Sequence, residues 1–322
     1  MMNDDIPYIV ENSLSIEINV IGYKTQGESI VLFIRVDSNI VFSAVIDSYS
    51  YKNINKTMEI LKNNKVKQIN YLCWTHPDED HSKGLNEIIK KYVNSNTLIN
   101  IPENIEVSDY NCSSETVKIF DLLKDNLKLS KKNRYRVYTV SDFKDILVYE
   151  KNLKINYHEK EYVIEIKSIA PNSNLIREEL RLDTFNKNKH SIALLFYFGN
   201  LIFLFGGDME NSTIRQFNKT KIPASFDFIK IPHHGSDSST ALLDFIEKVN
   251  ISCTTSYIKG CSNNPNKCVM KRYKDISEHV YSTCNIDNGY KGDFGIICTV
   301  FDVINQSSKT FLEGDACDYI PN

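Results

Sequence analysis

The sequence predicts an α/β protein, and three observations predict it. Short runs rich in β-branched and aromatic residues alternate with segments whose apolar residues recur at helical spacing. One strand-like run, residues 68–74, leads through an acidic turn into a stretch where Leu85, Ile88, Ile89 and Tyr92 recur at i, i+3, i+4 and i+7. Two apolar runs, 191–198 and 201–205, are separated only by Gly199-Asn200, which reads as a tight hairpin.

The elements follow in order. Residues 15–23, 29–36 and 39–46 read as three strands separated by turn residues, and the last runs straight into Asp47. Ile54, Met58 and Leu61 mark a helix over 54–64. The strand at 68–74 and the helix after Gly84 come next, then a strand beginning at 97–101. Val117, Phe120 and Leu123 suggest a further helix. Residues 162–171 return to a strand, and the hairpin at 191–205 ends in Gly206-Gly207-Asp208. Strands are expected at 226–231, 251–257 and 294–301. Between the first two, Leu242, Phe245, Ile246 and Val249 predict a helix capped by Ser238 or Ser239. The chain reads as one domain over residues 1–322, with an insertion around 103–160, because no Pro/Gly/Ser linker sets that region apart.

Bulk numbers narrow the class. In 322 residues, 42% are hydrophobic and 25% charged, which fits a globular protein. A net charge of −3 argues against a globally basic nucleic-acid coat, though it leaves room for a local basic groove. Such a groove could use Lys128, Lys131, Lys132, Arg134 and Arg136, which interleave with Tyr135 and Tyr138; a solvated loop fits the same residues. No run of about 18 apolar residues occurs, so no membrane span is expected. The acidic start, residues 1–5, lacks an apolar stretch, so no signal peptide is expected and the location reads as cytoplasmic. The eight cysteines then read as reduced thiols. Cys261 and Cys268 do not have zinc-knuckle spacing. His158 and His279 have no ligand-type neighbours in sequence and read as surface or packing residues.

The turn itself, Thr75-His76-Pro77-Asp78-Glu79-Asp80-His81, holds two histidines and three carboxylates within six residues. That much acid calls for a counter-charge, and a divalent metal is the simplest one. Its place, between a strand end and a helix start, is where open α/β sheets put their ligands. Two further strand ends carry ligand-type residues, Asp208 and His233-His234. Neighbours on a strand end point to opposite sides, so the two histidines should not both face the core.

These segments together resemble the metallo-β-lactamase fold. Residues 76–81 resemble its His-x-His-x-Asp-His signature, with Asp78 in place of the middle histidine, as in the ComEC-type hydrolase domain. Residues 25–29 are similar to that group's Gly-Gln-Gly-Asp-Ser turn, and 44–48 to its Leu-Ile-Asp-Gly-Gly. The hairpin ending at Asp208 resembles its strand pair closing in Thr-Gly-Asp, and residues 233–236 match its His-His-Gly-Ser. The likeness runs from about residue 15 to about 305 and is loose over 103–160.

The resemblance implies a four-layer αββα sandwich, two mixed sheets flanked by helices. It implies two divalent ions, zinc with manganese admitted, since carboxylates suit harder metals. His76 and Asp78 would hold the first, Asp80 and His81 the second with His234 completing it, and Asp208 would bridge. His190 stands where other proteins of this fold supply a histidine to the first metal, but the ComEC group has asparagine there; a ligand role and a loop histidine both fit. Asp80 and His233 are the expected catalytic residues, with His233 facing the cleft; the reverse order of His233 and His234 stays open. Asp47 would lie beneath the ligands, or serve only as a strand-ending cap. The activity implied is that of a metal-dependent hydrolase, a phosphodiesterase or nuclease acting through metal-activated hydroxide on a nucleic acid or nucleotide. Hydrolysis of a lactone, thioester or amide on the same fold, or a non-catalytic binding module, are the alternatives.

Overall fold

The computed structural model describes residues 8–103, 112–130, 133–148, 155–157, 160–182, 184–259 and 262–320. Two eight-stranded mixed sheets face each other. In the first the order is Ser307–Gly314, Phe294–Asp302, Leu14–Tyr23, Glu28–Val36, Asn39–Ile46, Tyr71–Cys73, Leu98–Pro102, Arg136–Val140. The pairing is antiparallel as far as Asn39–Ile46 and parallel beyond it. In the second the order is Cys317–Asp318, Ser277–Ser282, Lys248–Thr254, Ser225–Lys230, Leu201–Phe205, Ala193–Phe198, Ile164–Ala170, Lys144–Val148. Its parallel block runs from Leu201–Phe205 to Ser277–Ser282.

Alternation along the strands builds three cores. The inward faces meet in one buried cluster: Ile16, Ile18 and Leu32 of the first sheet pack with Ile166, Leu194 and Phe205 of the second. The outer face of the first sheet, with Val31, Val45 and Leu72, is covered by Lys56–Asn63, Leu85–Tyr92 and Ser114–Asn126. The outer face of the second, with Leu195, Leu204 and Ile229, is covered by the short turn Asn211–Ile214 and by Lys267–Ile276. The order of layers is therefore αββα, as the resemblance implies.

Several expectations shift. The helix expected after His234 is instead a 3-10 segment, Asp237–Asp244, and Val249 already belongs to the strand Lys248–Thr254. Short polar side chains compete with the backbone here: Ser239 Oγ donates to the Pro232 carbonyl at 3.1 Å. Leu242, Ile246 and Val249 still share one core, so their spacing reported burial rather than a helix. The cap is Ser236, which accepts from Ser238 N, and not Ser238 or Ser239. The region read as an insertion supplies a helix and an edge strand to each sheet; its residues 104–111, 131–132, 149–154 and 158–159 lie outside the described residues. Lys131, Lys132, His158 and Cys261 therefore lie outside them as well, while His279 is exposed and stacks on Tyr281. Lys128 pairs with Asp125 at 2.7 Å, and Arg134 Nε donates to the Leu129 carbonyl at 2.9 Å. Among the described residues no helix is long and apolar enough to cross a membrane.

The start of the first sheet is pinned by Asp37. Its carboxylate accepts from the backbone amides of Glu11, Asn12 and Ser13 at 2.7–2.9 Å, and these donors hold its carboxyl below the usual range. A carboxyl depressed in the folded state stabilises above its unfolded value of about 3.9, and that contribution fades as pH falls. Asp37→Asn should therefore lower the melting temperature slightly at neutral pH, and the difference should close in stronger acid. Hydrogen exchange of amides 11–13 should quicken in the same variant.

Candidate metal centre

The parallel blocks of both sheets end at one rim, and the ligand-type residues sit just past those ends. Asp47 follows Asn39–Ile46; Thr75 and His76 follow Tyr71–Cys73. Asp208 follows Leu201–Phe205, and His233 and His234 follow Ser225–Lys230. The Ile192 amide donates to the Thr75 carbonyl at 2.9 Å, which ties the two rims together at the motif. A one-turn helix, Glu79–Ser82, carries Asp80 and His81 inward and buries both. No sequence pattern announced it, since four residues are too few to show a helical period.

Backbone conformation aims the remaining groups. Gly207 has φ +50°, and a Cβ there would meet the Ile192 carbonyl oxygen at 2.5 Å, so glycine is required where the chain turns to present Asp208. Ser191 Oγ then accepts from the Asp208 amide at 2.8 Å. His233 and His234 both adopt left-handed backbone, φ 48° and 52°. Consecutive non-glycine residues in this region cost about 1–2 kcal/mol each, and such strain gathers at functional sites. The consequence is a split pair: His234 is buried, while the His233 side chain keeps 20% of its surface exposed.

The rings are held from behind. Asp47, wholly buried, accepts from the Thr75 amide at 2.7 Å and from the Thr75 hydroxyl at 2.5 Å, and lies 2.7 Å from His81 Nδ1. Thr75 Oγ also lies 3.0 Å from His76 Nδ1. The threonine has already given its hydrogen to Asp47, so it accepts from His76. A neutral ring at either position would therefore carry its proton on Nδ1 and present an Nε2 lone pair to the cluster. Burial raises the Asp47 carboxyl even against the pull of His81.

The presented atoms converge. His76 Nε2 lies 3.5 Å from Asp78 Oδ2 and 3.7 Å from Asp208 Oδ2. His81 Nε2 lies 3.4 Å from both Asp80 Oδ2 and Asp208 Oδ1. His234 Nε2 lies 3.2 Å from Asp80 Oδ2 and 3.7 Å from Asp208 Oδ2. Zinc bonds of about 2.0–2.1 Å in a tetrahedron place neighbouring donor atoms about 3.3–3.4 Å apart, so these separations match the edges of a coordination shell. His76 Nε2, His81 Nε2 and Asp208 Oδ1 are buried with no hydrogen-bond partner among the described residues. Orphaned buried polar atoms cost about 1–3 kcal/mol each unless something engages them. A pair of divalent cations fits: His76, Asp78 and Asp208 can hold one, and Asp80, His81, His234 and Asp208 the other.

Electrostatics agrees. Burial pushes the Asp208 carboxyl up, but His81, His234 and His233 outweigh it and hold it well below the usual range. Burial likewise opposes ionisation of Asp78, yet His76 and Lys187 hold it strongly depressed. Lys187 Nζ sits 2.5 Å from Asp78 Oδ1, leaving Oδ2 turned to His76.

His190 is not brought to this cluster. Its Nε2 lies 3.3 Å from Glu179 Oε2, its Nδ1 lies 3.2 Å from the Glu103 carbonyl, and its ring stacks on Phe185. With Lys189, which also pairs with Glu179 at 2.9 Å, it anchors the 3-10 turn Lys187–His190. That turn delivers Lys187 to Asp78 and Asn188 to His233, whose Nε2 it approaches at 3.4 Å. A loop-anchoring histidine fits the sequence at 190 as well as a ligand does, and only the ring's direction separates the two.

Sequence reasoning gave no role to Glu28, Lys187, Lys230, Thr255 or Tyr257. Glu28, His81, Asp208 and His234 bring ligand-type atoms within 4.8 Å of one another. Glu28, however, stands on the Nδ1 side of His234, at 3.6 Å, behind the ring rather than before it. Tyr257 lies over His234 with ring centroids 5.4 Å apart; burial first, then the carboxylates of Asp80, Asp78 and Asp208, push its hydroxyl up to about 12. The signal for Lys230 was available: a lysine between Ile229 and Ile231 at the end of a strand.

No protein-family model matches the chain, and neither does any curated protein. Among solved structures it is similar to the CmlA beta-hydroxylase E377D mutant, at 12% identity and a TM-score of 0.40, over 74% of this chain and 45% of that one. It is similar to the Rm3 metallo-beta-lactamase at 12% identity and a TM-score of 0.33, over 76% of this chain and 78% of that one. The chain thus spans less than half of the first of these, and likeness at this level assigns no activity.

Asp47→Ala should leave His81 Nδ1 and the Thr75 amide unpaired in the interior. Zinc affinity should fall about 10–100-fold, as for other groups that orient a ligand from behind. Competition with a chromophoric chelator measures this, and Asp47→Asn should lose less.

Proposed function

We propose that this protein is a metal-dependent hydrolase that cleaves phosphodiesters. The observation that carries the reading is the convergence of three imidazole Nε2 atoms on three carboxylates at coordination-shell spacing. Divalent ions bound there supply Lewis acidity, which makes a water nucleophilic near neutral pH. Zinc suits the imidazoles; the oxygens of Asp78, Asp80 and Asp208 also admit manganese.

The chain's own residues have separate tasks in this reading. His76, Asp78, Asp80, His81, Asp208 and His234 hold the ions. His233, with Nε2 3.9 Å from Asp208 Oδ2 and Nδ1 2.8 Å from Ser238 Oγ, faces the cleft and protonates the leaving oxygen. Lys187 and Lys259 pair with Asp78 and Glu79 beside the cluster, and an anionic substrate group can replace either carboxylate as their partner. The likeness of residues 233–236 to the ComEC-type His-His-Gly-Ser segment favours phosphodiesters, nucleic acid or nucleotide, over carbonyl substrates. His190 is proposed as an anchor rather than a ligand.

Purified protein given Mn2+ or Zn2+ should cleave single-stranded DNA, RNA or bis(p-nitrophenyl) phosphate, and a chelator should stop it. Asp208→Ala should reduce cleavage to background. Full activity in that variant refutes the centre's role. Turnover confined to a parallel panel of lactones, thioesters and amides keeps the centre and replaces the substrate class.

A further inference from the structure

Directly behind the candidate centre, a charged pair is buried. Lys230, at the end of one strand of the second sheet, is 0% exposed; Glu28, at the start of a strand of the first, is 1% exposed. Lys230 Nζ lies 2.6 Å from Glu28 Oε2 and donates to the Ile231 carbonyl at 2.9 Å. The Thr255 hydroxyl donates to the same Glu28 oxygen at 2.7 Å, and His234 Nδ1 lies 2.8 Å from Thr255 Oγ. Removing two charges from water costs several kcal/mol per ion even after relaxation, so a fully buried pair between two sheets is rarely kept for stability alone.

The hydrogen inventory gives this chain a direction. An ammonium has donors only, so Glu28 Oε2 accepts from Lys230. A threonine hydroxyl has one hydrogen, and it goes to Glu28. Thr255 Oγ can then only accept, so the proton of a neutral His234 ring sits on Nδ1. Its Nε2 lone pair faces Asp80 and Asp208. Without Lys230 and Glu28 at its far end, the threonine could turn its hydrogen toward Nδ1. The ring proton would then move to Nε2, where it blocks a metal.

We propose that Lys230 and Thr255 are positioning residues: acting through Glu28, they set the polarity of a hydrogen-bond chain that keeps Nε2 of His234 free to take a cation. The inference rests on His234 as a ligand in the proposed centre, and it adds what decides the state of that ring. It also accounts for two sheets meeting at a charge pair directly below the rim, where an apolar pair would pack at lower cost.

The test is a zinc titration of the full chain against a chromophoric chelator, with ring 15N spectra of the zinc-loaded protein. Wild type should take up two zinc ions, with His234 coordinated through Nε2 and protonated on Nδ1. Thr255→Val keeps the shape and loses the hydroxyl; it should weaken one of the two zinc ions about 10–100-fold and leave the other unchanged. The His234 Nδ1–H resonance should disappear in Thr255→Val. Thr255→Ser should restore both the affinity and the resonance, which a purely packing role for the threonine would not require. Lys230→Met should behave as Thr255→Val; if it fails to fold, the Val and Ser pair still decides. Two wild-type zinc affinities and an unchanged His234 signature in Thr255→Val overturn the inference while leaving the centre standing. A wild-type chain that binds no zinc overturns the centre and the inference together.

Discussion

The rim depends on one buried carboxylate. Asp47 accepts from the backbone and the hydroxyl of Thr75 and from the ring of His81, and through Thr75 it also governs His76. It joins the end of one parallel strand to the turn that follows the next, and it settles which nitrogen of two rings faces outward. Asp47 itself has left-handed backbone, φ 56°, a conformation that a side chain tolerates only where its surroundings hold it. The strain at 47, 233 and 234 falls on the residues that form or support the cluster.

A similar arrangement recurs on the other side. Thr255 stands behind His234 as Thr75 stands behind His76, and Glu28 accepts the hydroxyl of one as Asp47 accepts that of the other. Each sheet therefore backs its own histidines with a threonine, and both threonines lean on a buried carboxylate of the first sheet. The two supports differ in what balances the acid: Asp47 faces histidine rings, whereas Glu28 faces Lys230. Asp208 stands where the two halves meet, one oxygen toward His81 and the other toward His76 and His234.

Much of this was legible because local patterns carry it. The strands from 14 to 46 follow the β-branched runs, with ends displaced by a residue or less from the expected ones. The helix Leu85–Tyr92 follows its apolar spacing. The ligand-type residues stood out since carboxylates and histidines crowded at strand ends have few structural uses. The segment after His234 was misread because apolar spacing reports which side chains are buried, and a 3-10 turn leading into a strand can bury the same ones.

From the order of its residues alone, this chain announces an α/β protein and three acidic or histidine-bearing strand ends that could share a cation. Those properties are local: periodicity, turn chemistry and residue type. Tertiary structure decided that His190 turns to Glu179, that His234 and not His233 is interred, and that Glu28 meets Lys230 across the gap between the sheets. Ring direction and buried charge pairing depend on groups as far as 227 residues away, brought close only when both sheets close on their common core, and no neighbour in sequence reports them.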